Sequence, residues 1–275
     1  MLAAALALCS SLVWGVADFL GGMLVRRHPV ATISALSHSA GLAALAIAAA
    51  IAGVDGTAYA IGLAAGTFGA VSLYTFYKAM SIGTMSIVSP LLALGSVLAF
   101  GLAVAGGERP SALALLGALV ALSGAVLASL GEHASGGERR AALGWALAAP
   151  LALGFYLYLL ARGADAGGSI SAVFGARSMS ALLLVVLALA LRSPLRLEAA
   201  PLASASLIGV TAAGALVLFA YATSLGMISI TTILSSLYPI VTVLLAHVVI
   251  GERLRGTQLG GVVLALGGVA LVTAG

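Results

Sequence analysis

Long apolar runs separated by short polar breaks set the plan of this 275-residue chain. No Asp, Glu, Lys or Arg occurs in residues 28–54, 56–77, 110–131 or 141–161. Each run meets the requirement of about 20 apolar residues for a helix that crosses a bilayer. The uncharged stretch 199–251 is too long for one crossing, and "SLGMIS" around Gly226 supplies the turn that divides it in two. In the first half "SIGTMS" around Gly83 occupies the corresponding place, ahead of a fourth helix. With Leu2 to Val25, Gly168 to Leu191 and Thr257 to Ala274, the pattern predicts an all-α integral membrane protein of ten transmembrane helices joined by short loops. The opening "MLAAALALCSSLVWG" lacks the basic segment of a signal peptide, and its apolar run continues to Val25. It therefore reads as the first helix. Leu8 stands where a lipoprotein site before Cys9 needs a small residue.

Composition agrees with lipid as the solvent. The chain is 62% hydrophobic and 7% charged, against roughly a quarter charged in soluble domains. Its mean hydropathy is +1.22. The 35 glycines suit transmembrane helices, which associate by close packing. Cys9 is the one cysteine, so no internal disulfide forms. A net charge of +4 raises the question of nucleic acid, but the basic residues are scattered singly or in pairs between apolar runs. They form no basic stripe with interleaved aromatics.

A passage repeats. Aligning 104–127 with 248–271 gives ten identities in 24 positions: Val104, Gly107, Glu108, Arg109, Leu115, Gly117, Ala121, Leu122, Gly124 and Leu127 each meet their like 144 positions on. Chance similarity between Leu/Ala/Gly-rich helices accounts for part of this, but not for the charged "GER" or the ordered glycines. Ten helices then divide into two units, residues 1–135 and 136–275. An odd number of helices per unit makes the second enter the membrane from the opposite side. This five-plus-five inverted-topology repeat is the architecture of alternating-access carriers.

These residues carry a resemblance. "GERLRGTQLGGVVLALGGVALV", preceded by "SSLYPIVTVLLAHVVI", resembles the last two helices of an EamA-type domain, and "LVWGVADF" resembles that domain's first helix. By order and spacing the likeness covers the whole chain and belongs to the ten-helix branch of the drug/metabolite transporter superfamily. It implies a secondary carrier that moves amino acids, other small metabolites, sugars or drugs, often outward. The central cavity it implies is lined chiefly by helices one, three, four, six, eight and nine. Pro239 falls where the family places a proline in the ninth helix; Gly95 occupies the aligned first-half position, with Pro90 five residues earlier. Both prolines are hinge candidates. Arg177 resembles the arginine often found in the second helix of an EamA-type domain, and its first-half counterpart is roughly His38.

Polar residues inside apolar runs are the candidate site, because a charge at the bilayer centre costs about 2.5–3.5 kcal/mol even on the lenient insertion scale. Asp18 shares a helix face with Ser11, Trp14, Gly15 and Gly22. Two roles are open for it: a carboxylate that couples protons or meets a substrate ammonium, and a structural partner for Lys78 or a loop arginine. Tyr74, Tyr77 and Lys78 share a face of the third helix, the tyrosines as cavity wall and Lys78 as a cation reaching toward headgroups. Arg177 either holds a carboxylate or fixes the seventh helix to a neighbour. His38 and His247 lack metal-ligand spacing and read as packing residues. Hydroxyl stripes run along the fourth helix (Ser86, Ser89, Ser96) and the ninth (Thr231, Ser235, Tyr238, Thr242). Single hydroxyls of this kind usually bond helix carbonyls. Together with Trp14, Tyr156 and Tyr221, the two stripes also suit a neutral, adaptable cavity. Glu108 and Glu252 precede helices five and ten, where a carboxylate favours the helix dipole. The glycines that follow, Gly117 and Gly124 against Gly261 and Gly268, allow close packing.

Eight arginines (26, 27, 139, 140, 192, 196, 253, 255) fall on one side of this topology and two, Arg109 and Arg162, on the other. The positive-inside rule then puts both termini outside the cytoplasm, whereas the family resemblance implies cytoplasmic termini. HExxH, GxSG and GxGD are absent, which removes the main intramembrane hydrolase motifs. A channel's selectivity loop or ring of charges is missing too. The reading that remains is a monomeric plasma-membrane exporter that takes a small-molecule substrate, with no cofactor, no metal, no nucleic acid and no nucleotide-binding subunit. Asp18 and Arg177 together suit a zwitterion, hence amino acids; drugs, hydrophobic cations and sugars are the alternatives.

Overall fold

The computed structural model describes residues 1–82, 85–128, 137–251 and 256–274. Among these, the elements are all helical. In lipid every backbone N–H and C=O must find its partner within the protein, and a helix meets that need within one segment. The order is α1 (Leu2–Val25), α2 (Val30–Ala52), α3 (Gly56–Ile82), α4 (Met85–Ala105), α5 (Ala112–Ala128), α6 (Gly137–Gly167), α7 (Ser169–Ala190), α8 (Ala199–Leu225), α9 (Ile228–Ser235), α10 (Tyr238–Leu245) and α11 (Gly256–Ala274). Seven helices among the described residues are long and apolar enough to cross a membrane, with α9 and α10 counting as one span, Ile228–Ile250. Shorter apolar stretches, Leu94–Ala105 and Ala112–Gly124, add to them.

The turn expected at Gly226 lies between α8 and α9, whereas Gly83 is outside the described residues. The ninth predicted helix is broken. Pro239 has no N–H to give to the preceding turn, and the chain bends at Ser236–Leu237 before α10 starts. A π-helical turn, Ala246–Ile250, follows. By contrast α6 runs unbroken through Pro150, and α4 is helical at Pro90, whose side chain lies outside the described residues.

α3 packs against α6 and α7, α1 against α8, and α2 against α7 and α8; α4 lies on α6 and α9, α1 also meets α9 and α10, and α5 pairs with α11. Small residues make these crossings close. A Cβ on Gly41 of α2 would stand 2.6 Å from the Gly209 carbonyl of α8, and one on Gly15 of α1 would stand 2.6 Å from the Tyr238 carbonyl. On α11 a Cβ at Gly268 would meet the Ala121 backbone and lie 2.7 Å from the Gly117 carbonyl of α5, so of the repeated glycines Gly268 seats α11 on α5 beside Gly117.

Glu108 departs from expectation. Its Oε1 accepts the Ile228 N–H at 2.8 Å and its Oε2 accepts the Ser229 N–H at 2.9 Å, so the carboxylate caps α9. The start of α5 is capped instead by Ser111, whose Oγ accepts the Ala114 N–H at 3.0 Å. The helix nearest in sequence already had its own hydroxyl, and the carboxylate went to a helix start with no side-chain cap on its N-cap residue Met227. Glu252 lies outside the described residues.

Candidate functional site

Side chains from eight helices converge on a central cavity of about 60 Å³. Trp14 and Asp18 enter it from α1, one turn apart; Ser37 and His38 come from α2; Ser72, Phe76 and Tyr77 come from α3. α4 contributes Leu92, α6 Leu153 and Tyr156, α7 Arg177, α8 Ile208 and Leu216, and α10 Tyr238. Asp18 is 5% exposed and Arg177 2%. Tyr77 is close enough to both charges to interact with each, Tyr238 interacts with Asp18, and Tyr156 and His38 interact with Arg177. The cavity lining thus brings together a carboxyl group, a guanidinium group and Tyr77.

Glycines make room for the rings. Gly21 lies beneath Tyr77, where a Cβ would stand 2.6 Å from Cζ, and Gly69 lies beneath Tyr156, where one would stand 2.9 Å from Cε2. Trp14 and Tyr238 lean together with ring centroids 5.8 Å apart, and the bend at Pro239 places the Tyr238 ring beside α1. Four buried polar atoms on this lining have no hydrogen-bond partner among the described residues: Asp18 Oδ2, His38 Nδ1, Arg177 Nε and Tyr238 Oη. Buried polar atoms are nearly always partnered, so these four stand out as open hydrogen-bonding positions on the lining. A cavity of 60 Å³ holds water-sized guests, well short of the roughly 300 Å³ at which metabolite pockets begin. At this size the cavity admits water but not a whole metabolite.

Of the residues singled out from sequence, Trp14, Asp18, His38, Tyr77, Tyr156, Arg177 and Tyr238 come together here. Others do not. Tyr221 is 42% exposed and belongs to a separate surface cleft with Asp55 and Ser224, because α8 turns that face away from the centre. Tyr74 packs edge-on against Trp145, and half-buried Lys78 follows it along α3, outside the cavity lining. Apart from Tyr238, the hydroxyl stripe of α9 and α10 bonds helix carbonyls: Ser235 donates to the Ala7 carbonyl at 3.3 Å and Thr242 to that of Gly15 at 3.1 Å, both on α1, and Thr231 to that of Met227 at 2.8 Å. Ser89 and Ser96 are buried outside the cavity, and the Ser86 side chain lies outside the described residues. His38, read from sequence as a packing residue, lines the cavity together with Arg177. Helices two and seven therefore join the six that the resemblance implied. Sequence reasoning passed over Ser37, Ser72 and Ile208, which carry no charge and follow no distinct periodicity. Among the described residues no three His, Cys, Asp or Glu side chains gather to hold a metal.

The EamA-like transporter family matches this chain twice, at residues 1–130 and again at 140–274. The chain belongs to that family: it is an integral, multi-pass membrane protein of a transporter family. No curated protein matches it. Among the solved structures that match, a crystal structure aligns with a TM-score of 0.78 over 99% of this chain and 96% of the other, at 20% sequence identity. At that identity the likeness concerns the fold.

Proposed function

We propose that the protein is a secondary carrier of the plasma membrane that exports amino acids or similar small zwitterions by alternating access between two inverted five-helix halves. The observation that carries this reading is the delivery of buried Asp18 from α1 and buried Arg177 from α7 to the lining of one cavity. A zwitterion's ammonium pairs with Asp18 and its carboxylate with the planar fork of Arg177, which suits bidentate binding. Tyr77 lines the same cavity, and His38 and Tyr238 offer further polar atoms. A proton on Asp18 competes with the substrate ammonium, so proton entry from one side expels substrate to that side. This competition couples the two fluxes.

The packing supports the inverted repeat. Let α1–α5 exchange with α6, α7, α8, α9–α10 and α11, and each main pair maps onto another: α1–α8 onto α6–α3, α4–α6 onto α9/α10–α1, α2–α8 onto α7–α3. The pairs α2–α7 and α5–α11 map onto themselves. His38 and Arg177, at repeat-related positions, meet at the same cavity. An arrangement symmetric under exchange has two equivalent ways to open. A second reading has its own observation: the Trp14–Tyr238 pair beside Asp18 also suits an organic cation. Counterflow in proteoliposomes separates the two. Exchange of labelled amino acids supports the first; exchange of hydrophobic cations without amino acids replaces it with the second.

A further inference from the structure

A second cavity, of about 470 Å³, opens on the flank of the bundle where the last turn of α1, the first half of α8 and the end of the π-helical turn diverge. Its walls are apolar: Leu20, Met23 and Leu24 from α1, Leu207 and Ile208 from α8, Val249 and Ile250 from the turn. Leu207 and Val249 are exposed on this flank. The polar lining consists of Ser204 and the arginines Arg26 and Arg27, which follow directly on the last residue of α1. α1 and α8 are both candidate membrane spans, so an apolar cleft between them faces acyl chains, while the arginines stand at the end of the span. Basic charge also continues along this side. The loop after α7 carries Arg192 and Arg196 and is tied to the start of α2 by the Thr32 hydroxyl, which donates to the Pro194 carbonyl at 2.7 Å.

We propose that this cleft is a binding site for one anionic phospholipid, its phosphate at Arg26 and Arg27 and an acyl chain along Leu24, Leu207 and Val249. Charge complementarity selects this occupant. A free inorganic anion matches the positive charge but leaves the apolar walls without a partner, and a zwitterionic lipid fills the walls but carries a choline that the arginines repel. Basic pockets between transmembrane helices are suited to anionic headgroups, and each arginine near such a surface strengthens binding several-fold. Ile208 gives the site a consequence. It is 2% exposed and lines both this cleft and the central cavity, so a chain lying in the cleft presses on the outer face of a cavity wall.

The test is native mass spectrometry of the full purified chain, with phosphatidylglycerol and phosphatidylcholine in equal supply. The site predicts one tightly retained phosphatidylglycerol per chain, favoured about tenfold or more over phosphatidylcholine. Arg27→Gln should reduce that preference several-fold. Val249→Trp, which fills the cleft and leaves both arginines in place, should remove the retained lipid. Melting curves in phosphatidylcholine alone, matching the unmodified chain, establish that each variant is folded. Equal retention of the two lipids, or full retention in folded Val249→Trp, overturns the proposal. Displacement of the lipid by inorganic phosphate at millimolar concentration also overturns it, in favour of a free-anion site.

Discussion

Glu108→Ala removes a link that the chain places between its two halves. The carboxylate bonds two consecutive N–H groups at the start of α9, at 2.8 and 2.9 Å, and the N-cap residue of that helix, Met227, supplies no side-chain cap of its own. Losing a side-chain N-cap costs about 0.5–2 kcal/mol, and a carboxylate on the positive end of a helix dipole adds about 0.3–1 kcal/mol. Taking about 1–2 kcal/mol for the partly buried pair, local opening of the first turn of α9 rises about 5- to 30-fold. Hydrogen exchange followed by mass spectrometry on peptides covering 226–237 and 110–120 reads this directly. The first peptide should lose protection by that factor and the second should keep it, because α5 is held by Ser111. Ser111→Ala should show the converse. If Glu108→Ala loosens α5 and leaves α9 unchanged, Glu108 serves its sequence neighbour and the cross-half cap is wrong.

Three further outcomes follow from the packing and the site. Gly268→Val drives a side chain into the backbone of α5 at Ala121 and Gly117, whereas Gly267→Val points into open space; overpacking predicts a loss of about 1–3 kcal/mol for the first and little for the second, read as melting temperature in detergent. Gly21→Ala meets the end of the Tyr77 side chain, which gives way by moving into the cavity, so substrate affinity should fall with a smaller change in melting temperature than Gly268→Val shows. Arg177→Gln should weaken binding of an amino acid more than tenfold while leaving the corresponding amine, which lacks a carboxylate, nearly unaffected in a competition assay; equal weakening of both would assign Arg177 a structural role.

Much of this molecule is written locally, and that part is legible. Charge-free runs mark the spans because lipid excludes unpaired charge, and the glycines that recur 144 positions apart mark the pairing of α5 with α11. Asp18 and Trp14 share a helix face and both line the cavity, while Gly15 on that face packs against α10. What sequence hides is which faces meet. Glu108 finds its partner 120 residues away, and no spacing rule reaches that far. Tyr221 has the same chemistry as Tyr77 and Tyr156 yet ends on the outside, since the register of α8 against α1 and α2 decides it. His38 looked like an isolated packing residue because Arg177 approaches it only through the α2–α7 contact. The break at Pro239 was foreseeable; the continuity of α6 through Pro150 was not, because tertiary support decides whether a proline bends its helix.

The measurement that bears most directly on the carrier reading is counterflow in proteoliposomes: purified protein, unlabelled amino acids, sugars and hydrophobic cations inside in separate batches, matching radiolabelled tracers outside, and Asp18→Asn alongside. Accumulation of labelled amino acid over an unlabelled pool, with loss of proton-driven uptake in Asp18→Asn, is the predicted result. Undiminished proton-driven transport in the folded Asp18→Asn protein, or exchange confined to sugars, would contradict it.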